Sequence, residues 1–141
     1  MAVDTHQFQI ETEGGSQVLN LTDRVAAFVD RSSIKDGIAT VFVVGSTAGI
    51  TTTEFEPGLV NHDLKAFFEK IAPENARYVH EQTWNDDNGH AHVRASLLGP
   101  SLTMPLVDGK LVLGTWQQIV LIDFDTRPRS RQIVVQIVGE A

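Results

Sequence analysis

The stretch L-T-M-P-L-V-D-G-K-L-V-L-G-T-W-Q-Q-I-V-L-I-D-F-D, Leu102 to Asp125, decides the fold class. Apolar runs flank Asp108-Gly109, and an Asp-Gly pair suits a type I′ turn, whose two central residues both need positive φ. The stretch therefore reads as a hairpin and a further strand, and R-Q-I-V-V-Q-I-V, Arg131 to Val138, continues the antiparallel pattern. Pro105 cannot donate to a ladder, which predicts an edge position or a bulge there.

Working back toward the N-terminus, H-Q-F-Q-I-E-T alternates so that Phe8 and Ile10 share one side of a strand, and Gly14-Gly15 turns the chain into a short second strand. Thr22 is expected to cap a helix whose apolar side is Val25, Ala26 and Val29. I-A-T-V-F-V-V, Ile38 to Val44, is β-branched and nearly continuous, which predicts a central strand buried on both faces. Beyond Pro57, residues Val60, Leu64, Phe67, Phe68 and Ile71 recur at the three-and-four spacing of an amphipathic helix, and Pro73 lies just past its end. Strands outnumber helices and come in consecutive runs. The expected class is α+β, with mostly antiparallel, sandwich-like sheets and flanking helices, in a single domain over residues 1–141.

A 141-residue chain that is 42% hydrophobic can bury one real core. It has no cysteine, which excludes disulfides, thiolate zinc sites and thiol nucleophiles. A net charge of −7 opposes binding to a phosphate backbone, so nucleic acid is not an expected partner. No apolar run approaches the ~18 residues of a membrane-spanning helix, and the first residues do not read as a signal sequence, so we expect a cytoplasmic protein with no membrane partner. Arg127, Arg129 and Arg131 form a local basic cluster that can hold a small anion. Only Arg131 has the strand position to point inward, and the three can instead pair with Asp123 and Asp125.

The segment N-D-D-N-G-H-A-H-V-R-A-S-L-L-G-P-S, Asn85 to Ser101, holds two histidines in three residues. On a strand, His90 and His92 would share a face and form a metal clamp. Asn88 as an N-cap, good helix formers after it and Gly99-Pro100 as a stop favour a short helix instead. At about 100° per residue the two imidazoles then diverge by about 200°. His92, on the same face as Ser96, is expected to be the inward one. His6 and His62 read as surface residues, Trp116 as core and Gln117 as its polar neighbour.

Several pieces together resemble the YjbQ-like proteins, known as secondary thiamine-phosphate synthases. They are S-T-A-G-I-T with Glu54, Y-V-H at Tyr78 to His80, N-G-H-A-H-V-R-A-S-L-L-G-P-S, and L-V-L-G-T-W-Q-Q-I-V followed by R-S-R-Q-I-V-V. The resemblance implies a homotrimer and a polar histidine site that binds a divalent metal, Zn or Mg. It also implies condensation of a pyrimidine diphosphate with a thiazole phosphate. Carried over by position, His92, His80 and Glu54 are the candidate catalytic residues, and His80, His90 and His92 the candidate metal ligands. Ser46, Thr47 and Arg131 would receive the oxygens of a small phosphorylated molecule, with Ser96 and Gln117 as further polar contacts. The chain departs from the family pattern at Gly45, where a histidine is usual, and at Thr53, where an asparagine is usual. Loss of that imidazole weakens a metal site and leaves a second reading open, a non-catalytic metal- or anion-binding oligomer that kept the scaffold.

Overall fold

The computed structural model describes residues 1–141. Its strands are β1 (Ala2–Thr12), β2 (Gln17–Asn20), β3 (Asp36–Val44), β4 (Ala48–Glu54), β5 (Ser101–Val107), β6 (Lys110–Leu111), β7 (Gln117–Asp123) and β8 (Arg129–Glu140). They form a large sheet in the order β1-β8-β3-β5-β6 and a small one in the order β2-β7-β4, with every pairing antiparallel. Helices α1 (Thr22–Arg31), α2 (Leu64–Ile71), α3 (Val79–Trp84) and α4 (Gly89–Leu98) flank the sheets. The predicted α+β class holds. Asp108 and Gly109 join β5 to β6 at φ of 49° and 75°, both positive as the turn chemistry requires.

The main core lies between the sheets. Val41 and Val43 of β3 and Ile133, Val135 and Ile137 of β8 meet Ile50, Ile119 and Leu121 of the small sheet and Val25 and Val29 of α1. A second cluster covers the other face of β7, where Val120, Ile122 and Phe124 pack against Phe68 of α2 and Ala91 and Ala95 of α4. The strand buried on both faces is therefore β7, not β3. β3 is central as expected, between β8 and β5, but no helix covers the outer face of the large sheet, and Ile38, Phe42 and Val44 remain 41–47% exposed there.

Local chemistry differs from the sequence reading at four points. The Thr22 hydroxyl does not cap α1; it accepts from the Ile119 N–H at 2.8 Å, while Asn20 Oδ1 takes the Thr22 N–H at 2.9 Å. The helix after Pro57 opens with a π turn, Leu59–Asp63, before α2. A π turn carries an extra residue, so apolar positions counted at α spacing leave the common face. Val60 and Phe68 are buried, whereas Phe67 and Ile71 are exposed. Trp116 is no core residue, being 72% exposed in the loop before β7. His6 is half-buried rather than free on the surface, and it stacks on Phe28 at 4.6 Å.

The turn between β1 and β2 approaches the end of β7 closely. A Cβ at Gly14 (φ +83°) would sit 2.3 Å from the Asp125 carbonyl oxygen, whereas one at Gly15 (φ +66°) meets nothing within 4 Å. Gly15→Ala should cost roughly 1–2 kcal/mol, from left-handed strain alone, and Gly14→Ala about 3 kcal/mol or more, because a backbone clash is added. Urea melts of both variants test this, and equal losses would contradict the close approach.

Candidate functional site

Three crossings between the sheets bring polar residues to one place. β1 ends at Thr12, β3 leads to β4 through Gly45, Ser46 and Thr47, and β7 leads to β8 through Phe124 to Pro128. At their meeting point Arg131 grips Asp123 bidentately, with Nε to Oδ2 at 2.7 Å and Nη2 to Oδ1 at 3.0 Å. Nη2 also donates to Thr47 Oγ1 at 2.6 Å, and Thr47 in turn donates to Asp125 Oδ2 at 2.8 Å. Thr12 Oγ1 donates to Asp123 at 2.6 Å. The side chains of Arg131 and Asp123 are 8% and 0% exposed. Charges this deep are tolerated because each is paired and hydrogen-bonded in good geometry.

Asp125 extends the network toward the helices. Burial alone would raise its pKa, but the Thr126 N–H, the Thr47 hydroxyl, the Arg129 charge and the Asn88 amide together bring it down to about 2. A carboxylate only accepts, so Asn88 must present its NH₂ to Asp125, at 3.4 Å, and its oxygen to His80 Nε2, at 3.1 Å. His80 thus donates from Nε2. Asn88, expected to cap α4 with its side chain, stands at the N-cap position but makes no capping bond, because its amide is spent on this bridge.

The two histidines diverge as helix geometry requires. His92 is half-buried and faces His80, ring centroids 4.6 Å apart. His90 is the inward one, 3% exposed, with Nδ1 lacking any hydrogen-bond partner. The expectation that His92 points inward is therefore corrected. Asn88 precedes the helix by one residue, and its tie to Asp125 sets the helical phase that sends residue 90 toward the interior. Burial, followed by the nearby Arg94 charge, lowers the His90 pKa below the usual imidazole range.

The other candidates divide. Ser46 and Ser96 line a cleft of about 230 Å³ with Gly45, Ala48, Ala95 and Pro100, beside the Arg131 pair. The Ser96 hydroxyl donates to the His92 carbonyl at 2.7 Å. Glu54 and Gln117 lie at the opposite end of the small sheet, paired with each other in register, while Ala48 pairs with Asp123 at the near end. Seven residue steps along the strand carry the chain from Thr47 to Glu54, on the order of 20 Å. Glu54 lines a separate cleft with Asn20, Asp23 and Trp116. It does not join His80 and His92 within one chain. Of the arginines, Arg129 pairs with Asp125 at 3.0 Å and Arg127 with Asp86 and Asp87 on the loop before α4.

No group of three His, Asp or Glu side chains lies close enough in one chain to hold a metal ion. His80 and His92 are two donors, His90 is turned away, and position 45 has no side chain. A Cβ there would lie 2.8 Å from Arg131 Nη1. Tetrahedral zinc takes three or four protein ligands, so the residues of a single protomer do not fit a metal.

A family model described as "UPF0047 protein YjbQ-like" matches residues 6–140. The chain belongs to the YjbQ/UPF0047 family. It is similar to a UPF0047 protein of Methanocaldococcus jannaschii, 37% identical over 95% of this chain and 94% of that one. Bacillus subtilis YugU is 32% identical over 93% and 96% of the two chains. Among solved structures, a protein of unknown function from Sulfolobus solfataricus superposes with a TM-score of 0.88 at 35% identity, covering 99% of this chain and 100% of that one. An uncharacterised YjbQ/UPF0047 protein from Clostridium acetobutylicum gives 0.85 at 36% identity, covering 94% and 99%. No helix is long and apolar enough to cross a membrane.

Sequence reasoning missed Asn88 as a bridge and Arg94, and it named Asp123 and Asp125 only as alternative partners for the arginines, not as the anchor of that bridge. The signal for the aspartates was available in I-D-F-D opposite R-S-R, two charges in alternation on each side of one turn. Arg131→Ala would strand a buried carboxylate and should cost about 3–5 kcal/mol in a denaturant melt. Asp125, with its folded pKa depressed, contributes stability above its unfolded value of about 4 and loses it as pH falls toward 2, on the order of 2 kcal/mol in all. Asp125→Asn should flatten that part of the acid-unfolding curve; an unchanged slope would mean the carboxylate is not held as described.

Proposed function

We propose that this YjbQ/UPF0047 protein is a small-molecule enzyme acting on a phosphorylated substrate where His80 and His92 meet. The reaction the resemblance implies is of the thiamine-phosphate synthase type: a thiazole nitrogen forms a bond to the methylene carbon of the pyrimidine, and the bond from that carbon to pyrophosphate breaks. The observation that carries the reading is the imidazole pair, with His80 oriented through Asn88 by the buried Asp125. An oriented imidazole can act as a general acid or base toward a reacting group beside it. Arg131 Nη1, the guanidinium nitrogen not committed to Asp123 or Thr47, lies behind Gly45, which lines a cleft with Ser46 and Ser96. The nearby Arg131 charge and the Ser46 hydroxyl suit the oxygens of the departing pyrophosphate.

The uncovered face of the large sheet, carrying Ile38, Phe42 and Val44, supports assembly with further copies, and the homotrimer is part of this proposal. So is a cytoplasmic setting, where phosphorylated small molecules are found. Glu54 can join the histidines only across such an interface. A divalent metal would likewise need ligands from a second copy.

His92→Ala should lower the rate of thiamine-phosphate formation by roughly 10² or more while circular dichroism stays unchanged. A rate equal to wild type overturns the enzyme reading. Gly45 favours one alternative, a non-catalytic metal- or anion-binding oligomer, because the position that would complete a histidine trio has no side chain and is crowded by Arg131. Pyrophosphate or Zn²⁺ binding by calorimetry, with no turnover of any phosphorylated substrate, would establish that alternative.

A further inference from the structure

The inward imidazole faces a second cleft, on the other side of α4 from the histidine pair. It encloses about 470 Å³, and none of its eleven lining residues is hydrophobic. Its floor is Ser16, His90, Arg94 and Asp125, and its rim carries Glu13 from the β1–β2 turn, Lys65 from α2 and Glu74 from the loop after α2. Small-molecule pockets are usually lined mainly by apolar groups. A wholly polar wall calls for a ligand that makes hydrogen bonds and ion pairs at every side.

The charges on the floor are already committed. Arg94 donates from Nε to the Ala72 carbonyl at 2.9 Å, from Nη1 to Ser16 Oγ at 3.0 Å and from Nη2 to Glu69 at 2.8 Å. Each of its nitrogens donates one bond, so it ties α4 to α2 and to the β1–β2 turn, and its charge is paired with Glu69. Asp125 is held by Arg129, Thr47, Asn88 and Thr126. The uncommitted groups are the carboxylates of Glu13 and Glu74, the ammonium of Lys65 and the ring of His90. His90 is only 3% exposed, and its Nδ1 is a buried polar atom without a partner. An unpaired buried polar atom is costly and rare unless something else satisfies it. With the Arg94–Glu69 pair counted on both sides, the lining holds four carboxylates, Glu13, Glu69, Glu74 and Asp125, against two cations, Lys65 and Arg94, so phosphate is repelled and a donor-rich cation is favoured.

We propose that this cleft binds a small aliphatic amine, with ammonium groups between Glu13 and Glu74 and the remaining donors directed at the His90 floor. Two rim carboxylates from different elements match a ligand with two ammonium ends, and the volume accommodates a short chain between them. The site does not depend on the function proposed for the His80–His92 face.

The probe is 1,4-diaminobutane, titrated into the full-length protein and followed by amide chemical shifts and calorimetry. Shifts should concentrate at Gly14, Gly15, Ser16 and His90, and binding should weaken with added salt. Glu74→Gln and Glu13→Gln, both at exposed positions with no part in the core, should each weaken binding roughly 2- to 5-fold, and Lys65→Gln should strengthen it by a similar factor. His92→Ala should leave diamine binding unchanged, which separates this outcome from the fate of the enzyme reading. Shifts produced by inorganic phosphate but not by the diamine, shifts centred elsewhere, or wild-type affinity in both glutamate variants would each overturn the proposal.

Discussion

The interaction on which the molecule depends is the buried pair between Arg131 and Asp123. β7 belongs to the small sheet and β8 to the large one, so the guanidinium of one strand holding the carboxylate of the other fixes the sheets against each other at their shared corner. The other two crossings close on the same corner. Thr12, at the end of β1, donates to Asp123, and Thr47, between β3 and β4, sits between Arg131 and Asp125. Backbone bonds finish the joint, from Gly15 N–H to the Asp125 carbonyl and from Phe124 N–H to the Thr47 carbonyl. Apolar packing alone would allow the two sheets to slide, because it has no direction. A bidentate pair with every acceptor occupied has only one good geometry.

That corner also sets the chemistry beyond it. Asp125 orients Asn88, Asn88 orients His80, and Asn88 begins the helix whose first two histidines point in opposite directions. One rigid ten-residue helix thereby serves two surfaces, the histidine pair on one side and the polar cleft on the other. Both surfaces take their position from the same carboxylate, a residue 1% exposed to which four residues donate hydrogen bonds.

The fold was legible in the sequence wherever one local rule sufficed. The Asp108-Gly109 hairpin, the alternation of β1 and β8, and the helix Gly89–Leu98 followed from turn chemistry, period and the Gly99-Pro100 stop. Burial of β3 and β7 was harder to read, because both are nearly continuous apolar runs and only the placement of α2 and α4 over β7 tells them apart. The π turn at Leu59–Asp63 has no composition signal, and it shifted the apolar face of the helix that follows. For the site, sequence placed Thr47 and Arg131 near each other and the helix angle separated His90 from His92. Which histidine turns inward was not legible, since it depends on a bond between residues 88 and 125, thirty-seven positions apart. Motif order groups Glu54 with the histidines, but a strand carries its two ends away from each other, and motif order contains no such distance.

Gly45 and Arg131 are best understood as a pair. Gly45 has φ of +139°, which side chains rarely adopt, and the space a Cβ would take is bounded by Arg131 Nη1. An imidazole at 45 would therefore need both a strained backbone and a displaced guanidinium, and the displacement would loosen the Asp123 pair that holds the sheets together. The absence of a side chain at this position is compatible with the corner as it stands and opposes a third histidine beside His80 and His92. It leaves the cleft formed by Ser46 and Ser96 without an imidazole on its Gly45 wall. A single protomer thus brings two imidazoles together, His80 and His92, and not the three or four ligands that a closed zinc site takes.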